Sequence, residues 1–159
     1  MPEKMTPSPK NASKIAIASD HAGLTLKSEI QKRLQNFHWI DLGPNSIESV
    51  DYPDYAEKLG TELQKGTADL GILICGSGIG MCISANKMSG IRAALCENPT
   101  SAFLSRQHND ANVLCLGARF LAPEYATEIA ERFLESPFSQ NERHQKRIEK
   151  IAKLKSEAR

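Results

Sequence analysis

Ile72-Leu73-Ile74-Cys75-Gly76-Ser77-Gly78-Ile79-Gly80 is the stretch on which the fold of this chain turns. Apolar residues run up to a cysteine, alternating glycines follow, and a helix-like segment continues through Ala85, Asn86 and Lys87. A short apolar run closed by glycine reads as a parallel strand buried on both faces. Its carboxyl end delivers a thiol to a glycine loop that opens a helix. Glycine lets a backbone approach a ligand closely, and the orphan N–H groups at a helix start favour negative charge. The stretch predicts an α/β fold with a thiol beside an anion cradle.

Outward from this point, strand and helix alternate. Strands are expected over 15–19, 39–42, 70–75, 91–96 and 113–116, with Gly43-Pro44 closing the second and a turn over 49–53. Helices are expected over 24–34, over a segment with Tyr55, Leu59 and Leu63 on one face, and over 79–88. Asn98-Pro99 and Pro123 start two more. A last one begins at Asn141 or Glu142, with Ile148, Ile151 and Leu154 on one stripe. Such alternation implies a three-layer α/β/α sandwich around a five-stranded, mainly parallel sheet. There is no internal repeat or linker, so residues 14–159 read as one domain that includes the C-terminal helix. Residues 1–13, with Pro2, Pro7 and Pro9 among polar residues, read as a disordered leader without the apolar core of a secretory signal.

A formal net charge of +1 gives no bulk field for nucleic acid or a membrane surface, and no segment is long and apolar enough to span a bilayer. The four cysteines, Cys75, Cys82, Cys96 and Cys115, contain no CxxC pair, which argues against a structural metal. Cys82, Cys96 and Cys115 read as core-filling thiols. Reduced thiols without an export signal make the cytoplasm the default compartment.

Ligands of an open α/β sheet bind beyond the carboxyl ends of its strands. Strand one delivers Asp20 and His21 there, strand three delivers Cys75, and strand five ends in Gly117-Ala118-Arg119. Ser105-Arg106-Gln107-His108-Asn109-Asp110 precedes strand five, and the final helix opens with Arg143 and His144, with Arg147 one turn on. Each residue also has a plain structural role open to it. Asp20 alone suits a helix N-cap, His21 an exposed helix start, Cys75 a buried strand, and the Arg143–Arg147 cluster a solvated helix end. Several glycine-loop chemistries fail on particular residues. A dinucleotide fingerprint needs Gly or Ala where Met81 or Ile83 stands, a Walker loop needs a missing GK[ST], and a cysteine-phosphatase loop needs an arginine at Met81.

Five segments taken together resemble the type B ribose-5-phosphate isomerase family: residues 19–23 (SDHAG), 51–56 (DYPDYA), 75–80 (CGSGIG), 105–110 (SRQHND) and 143–147 (RHQKR). They occur in that family's order, and the likeness runs from about Lys14 to the last helix. The wider family includes galactose-6-phosphate and allose-6-phosphate isomerases. The resemblance implies a Rossmann-like fold, no metal or organic cofactor, and an obligate homodimer, often paired into tetramers, with shared active sites. It implies aldose–ketose isomerisation of a sugar phosphate through a cis-enediolate, in the non-oxidative pentose phosphate pathway. In that analogy Cys75 is the general base, and a helix N-terminus favours the thiolate that can take a proton. Relatives without the cysteine use a glutamate at the position of Met81, so this chain falls in the cysteine branch.

By the same resemblance His108 opens the sugar ring, with Asp20 holding substrate hydroxyls. The loop of Gly76, Ser77, Gly78 and Gly80 donates to the enediolate oxygen. His21, Arg119, Arg143 and Arg147 bind the phosphate, with His144 close by; a guanidinium fork pairs with phosphate oxygens at two points. His108, Asn109 and Arg119 are expected to reach the site from the partner subunit. Tyr52 fits either a sugar contact or a packed ring at a Tyr-Pro turn. The galactose-6-phosphate branch divides its site between two different subunits, whereas this chain carries the whole set, which favours the ribose substrate and a homo-oligomer. A non-catalytic sugar-phosphate binding module on the same fold is the rival from another class.

Overall fold

The computed structural model describes residues 13–154. The leader expected over 1–13 therefore lies outside the described residues, apart from Ser13, and so does the stretch after 154. In chain order the elements are β1 (Lys14–Ser19), α1 (Leu24–Arg33), β2 (His38–Asp41), α2 (Tyr52–Lys65), β3 (Leu70–Cys75) and α3 (Ile79–Ala85). Then come β4 (Ala93–Leu95), α4 (Pro99–Asn109), β5 (Val113–Gly117), α5 (Pro123–Glu135) and α6 (Glu142–Ala152).

The five strands form one sheet in the order β2-β1-β3-β5-β4, and all four pairings are parallel. Alternation within the central strands divides the core into two faces. Ile15, Ile17, Ile72, Ile74, Leu114 and Leu116 point to one side, where α1 and α5 add Leu26, Ile30, Ile129 and Phe133. Ala16, Ala18, Leu73, Cys75, Val113 and Cys115 point to the other, beneath Ala56 and Leu59 of α2 and Met81 and Ala85 of α3. Every residue of β3 is buried, as its continuous apolar run requires.

Strand order reverses about β1 and β3. The chain steps from β1 outward to β2, then returns to place β3 on the other flank. The loops leaving β1 and β3 consequently run in opposite directions and open a crevice between them, the usual ligand position in such sheets.

Several boundaries depart from the sequence expectations. The helix expected over 79–88 ends at Ala85, because Asn86 turns the chain toward β4. Its side-chain amide donates to the Cys82 and Ala93 carbonyls, and its Oδ1 accepts the Ala93 N–H. The strand expected over 91–96 shortens to three residues, and Asn112 Oδ1 takes the Arg92 N–H just ahead of it. The turn expected over 49–53 gives way to helix at Tyr52, with Pro53 in the first turn, where its missing N–H costs nothing. On the last stripe Ile148 is buried, but Ile151 and Leu154 are 46% and 78% exposed, and Leu154 lies past the helix end.

Candidate active site

The crevice beyond β1 and β3 is a cleft of about 420 Å³ lined by Asp20, His21, Tyr52, Cys75, Gly76, Ser77, Gly80 and Arg119, with Ala22, Ile79 and Ile83 completing its walls. Cys75 stands at the last position of β3, 4% exposed, so the sheet itself fixes its backbone. The Gly78 N–H donates to its Sγ across 3.1 Å. Gly78 has φ +77°, a conformation that suits glycine, and a Cβ there would lie 2.6 Å from Leu95 Cδ1. Ser77 Oγ accepts the Ile79 N–H at 3.2 Å, which bends the loop into the first turn of α3.

Asp20 follows β1 and is 6% exposed. It is not the N-cap of α1; that position is Gly23, whose N–H Asp20 Oδ1 accepts at 3.0 Å. The carboxylate thus braces the loop and still borders the cleft. His21 accepts the Val50 N–H on Nδ1 at 3.2 Å, so its neutral ring carries its proton on Nε2. The loop that supplies Val50 is tied down by a buried cation. Lys27 Nζ lies 2.7 Å from Asp41 Oδ1 and 2.9 Å from the Pro44 carbonyl, and Asp41 Oδ1 also takes the Gly43 N–H. Burial alone would raise the Asp41 carboxyl, but the Lys27 hydrogen bond, the Gly43 N–H and the Lys27 charge outweigh it and hold the group below its ordinary value.

Arg119 corrects an expectation. The resemblance has it reaching from a partner subunit, yet its guanidinium lies over Gly76 of its own chain, where an added Cβ would sit 2.9 Å from Cζ and Nη1. It leaves the end of β5 by a turn in which its N–H bonds the Gly76 carbonyl, so β5 and β3 together aim it into the cleft.

His108, Asn109, Arg143, His144 and Arg147 do not line this cleft. They gather at a second place, where the end of α4 meets the start of α6. The His108 and His144 rings stack with centroids 4.3 Å apart and planes 6° from parallel. His144 is held below its ordinary value first by burial and then by the charges of His108, Arg143 and Arg147, so the stack favours a neutral His144. Arg143 and Arg147 are exposed on α6, whose start Asn141 caps by accepting the Arg143 N–H. The last turn of α4 is fixed from within: Arg106 is fully buried, paired to Asp110 at 2.8 Å and bonded to the Ser136 and Ala111 carbonyls.

The profile of the Ribose/Galactose Isomerase family matches residues 15–151. The chain belongs to that family. Ribose-5-phosphate isomerase B of Escherichia coli is 46% identical over 143 residues, covering 89% of this chain and 95% of the relative. Among family members of known structure, the Thermotoga maritima ribose 5-phosphate isomerase superposes with a TM-score of 0.87 at 48% identity, over 90% of this chain and 99% of that one. The Mycoplasma genitalium ribose-5-phosphate isomerase B with bound ribulose-5-phosphate gives a TM-score of 0.84 at 46% identity, over 89% and 95% of the two chains. The family assignment and the Rossmann-like fold thus agree with the motifs read from the sequence.

Sequence reasoning missed an apolar wall of this family member's cleft, a backbone brace on His21, and the surroundings of a thiol outside the cleft. Ile79 and Ile83 form an apolar wall at i,i+4 spacing, 50% and 60% exposed, a signal present in the sequence but read only as helix. The Val50 contact to His21 is a backbone bond and has no side-chain signature. Cys82, read as core filling, is half-buried and lies 3.5 Å from the Ala93 carbonyl; a hydrogen bond with Cys115 is the main cause that brings its thiol down to about 7. Cys96 and Cys115 are buried as expected. Among the described residues no group of three or more His, Cys, Asp or Glu side chains is arranged to hold a metal ion, and no helix is long and apolar enough to cross a membrane.

Proposed function

We propose that this chain is an aldose–ketose isomerase interconverting ribose 5-phosphate and ribulose 5-phosphate. One observation carries the reading: a single cleft at the topological switch point joins Cys75, the Gly76–Gly80 loop, Asp20, His21 and Arg119, in a chain whose relatives bear the name ribose-5-phosphate isomerase.

Cys75 is the general base in this account. With the ring opened by His108, the thiolate removes the C2 proton, and the C2–H electron pair forms the C1–C2 double bond while the C1 carbonyl oxygen becomes the enediolate oxygen. Loop N–H groups and Ser77 donate to that oxygen, where donors already in place contribute most. The proton then returns to C1, the O2 proton passes to O1, and the carbonyl stands at C2. The exchange is internally redox-neutral and needs no cofactor. Asp20 and Tyr52 hold sugar hydroxyls, and Asn109 assists at the ring-opening end. His21, Arg119, Arg143 and Arg147, with His144 nearby, hold the phosphate and so orient the reacting carbons.

The two separated clusters are the reason to propose a homodimer with shared sites, in which the cleft of one subunit receives His108, Asn109, Arg143 and Arg147 from its partner. Exposed Ile79, Ile83 and Phe120 offer the apolar surface such a contact needs. Pairing of dimers into tetramers follows the family resemblance. The proposed compartment is the cytoplasm. Ketose formation from ribose 5-phosphate by the purified protein in EDTA tests the function. Preferential turnover of galactose 6-phosphate or allose 6-phosphate moves the substrate, and absence of turnover on all three overturns the isomerase reading.

A further inference from the structure

Cys82 on α3 lies outside the cleft, and the isomerisation makes no use of it, yet three donors converge on its sulfur. The Asn86 side-chain amide lies 3.6 Å from Sγ. The Leu95 N–H of β4, the edge strand of the sheet, bonds to it as well, and so does the Cys115 thiol of β5. A thiol that only fills space needs no such set. Three donors hold the sulfur as thiolate, the nucleophilic form of cysteine, and the Cys115 bond contributes most to bringing the group down to about 7. Near neutral pH roughly half of Cys82 is then ionised, against a few per cent, ~10-fold less, for an ordinary thiol. Cys115 is fully buried and keeps its proton, because its bond to Cys82, burial and the Cys82 charge all push it upward. One sulfur is thus half-buried and nucleophilic, and the other points its proton at the first.

We infer that Cys82 and Cys115 are an oxidation site for hydroperoxides, a thiol pair that closes to a disulfide and thereby disarms the neighbouring Cys75 loop. The Cys82 thiolate attacks one peroxide oxygen. The S–O bond forms as the O–O bond breaks, and the departing oxygen takes a proton from solvent and leaves as water or an alcohol. Sulfur is oxidised by two electrons to the sulfenic acid, and the peroxide is reduced. With the Cys82 charge gone, Cys115 is free to release its proton. Its sulfur attacks Cys82 sulfur, the S–S bond forms as the S–O bond breaks, and the hydroxyl leaves with the Cys115 proton as water. A disulfide holds its sulfurs about 2 Å apart, closer than a hydrogen bond does, so α3 is drawn onto β5. The Cys82 N–H bonds the Gly78 carbonyl at 3.1 Å, which carries the pull to the loop. Gly78 has no room to follow, since a Cβ there would already lie 2.9 Å from the Leu116 carbonyl carbon and 3.1 Å from the Gly117 nitrogen. Its N–H therefore turns away from Cys75 Sγ. The loss of activity rests on the isomerase reading above, whereas the disulfide does not.

The test treats the full-length protein with hydrogen peroxide at neutral pH, alkylates the remaining thiols and maps them by mass spectrometry. Peptides carrying Cys82 and Cys115 should appear joined, released by dithiothreitol, and should form at least ~10-fold faster than Cys96 is modified. Cys115→Ala should stop at the Cys82 sulfenic acid, which dimedone captures. Turnover of ribose 5-phosphate should fall ~10-fold or more as the disulfide forms, the scale of a displaced catalytic group, and return on reduction. Cys82→Ser should keep its activity through the same dose. Cys82 left unmodified, or oxidised without joining Cys115, would overturn the site. Equal inactivation of Cys82→Ser, or a disulfide that leaves turnover unchanged, would overturn the switch. A protein that forms the disulfide but turns over no sugar phosphate when reduced would fail the isomerase reading alone.

Discussion

The Gly78 N–H points at Cys75 Sγ from 3.1 Å, and it does so from a backbone at φ +77° that a Cβ would strain and crowd against Leu95 and Leu116. The thiol and the loop are one unit. Cys75→Ala should lower kcat at least ~100-fold, the low end for removing a general base. Gly78→Ala should also lower kcat, because the side chain it adds displaces the N–H that aims the sulfur, and should cost roughly 1–2 kcal/mol of stability. Steady-state kinetics with thermal unfolding checks both. An unchanged kcat in Cys75→Ala removes the thiol from the mechanism.

Separation of the Cys75 cleft from the His108–His144 stack leads to a mixing experiment. Cys75→Ala and His108→Ala should each be nearly inactive alone. Unfolded together and refolded at equal amounts, half of the dimers pair one of each, and each such dimer has one intact site. About a quarter of wild-type activity should return. Mixtures no more active than their components would place both residues in the site of a single chain.

Arg143 and Arg147 lie exposed on one face of α6, whereas Arg132 on α5 lies over the Phe103 ring, 4.6 Å from its centroid. Alanine at either of the first two should raise KM about 10-fold or more, the weight of a hydrogen bond to a charged group. Alanine at Arg132 should leave KM unchanged and remove only a cation–π contact between α5 and α4. Equal KM values in all three variants would contradict the phosphate assignment.

Lys27 and Asp41 fix the loop that reaches His21. The Lys27 side chain is 2% exposed and that of Asp41 35%, so Lys27→Met should cost roughly 2–3 kcal/mol near neutral pH, less than a fully buried pair. The Asp41 carboxyl sits below its ordinary 3.8 in the fold. The folded protein therefore binds fewer protons there than the unfolded chain, and the stabilisation is complete above that value and lost as pH falls through the folded one. The gap between wild type and Lys27→Met in denaturant unfolding should narrow toward pH 3. A gap constant with pH would show that Asp41 is not the partner that matters.

Much of this molecule was legible in its sequence because periodicity and chemistry coincided. The apolar run of β3 gave both a buried strand and the position of its thiol, and Asp20, His21 and Arg119 follow from the strand ends on either side. What stayed hidden depends on contacts between distant residues. The early end of α3 is set by Asn86 bonding forward to Ala93, the brace on the His21 loop by Lys27 meeting Asp41, and the placement of Arg119 by the gap over Gly76. No local pattern carries these. The motif around His108, and its distance from Cys75 of the same chain, follow from the family resemblance; the stacking of His108 on His144 is what the folded chain adds.

Proton transfer between adjacent carbons of a sugar phosphate is the claim on which the rest depends. We would incubate the purified protein with ribose 5-phosphate in D2O containing EDTA and follow the products by NMR. The account predicts ribulose 5-phosphate at equilibrium with ribose 5-phosphate, with deuterium appearing at C1 of the ketose and at C2 of the recovered aldose, all of it lost in Cys75→Ala. Absence of ketose, or equal turnover by Cys75→Ala, would contradict it.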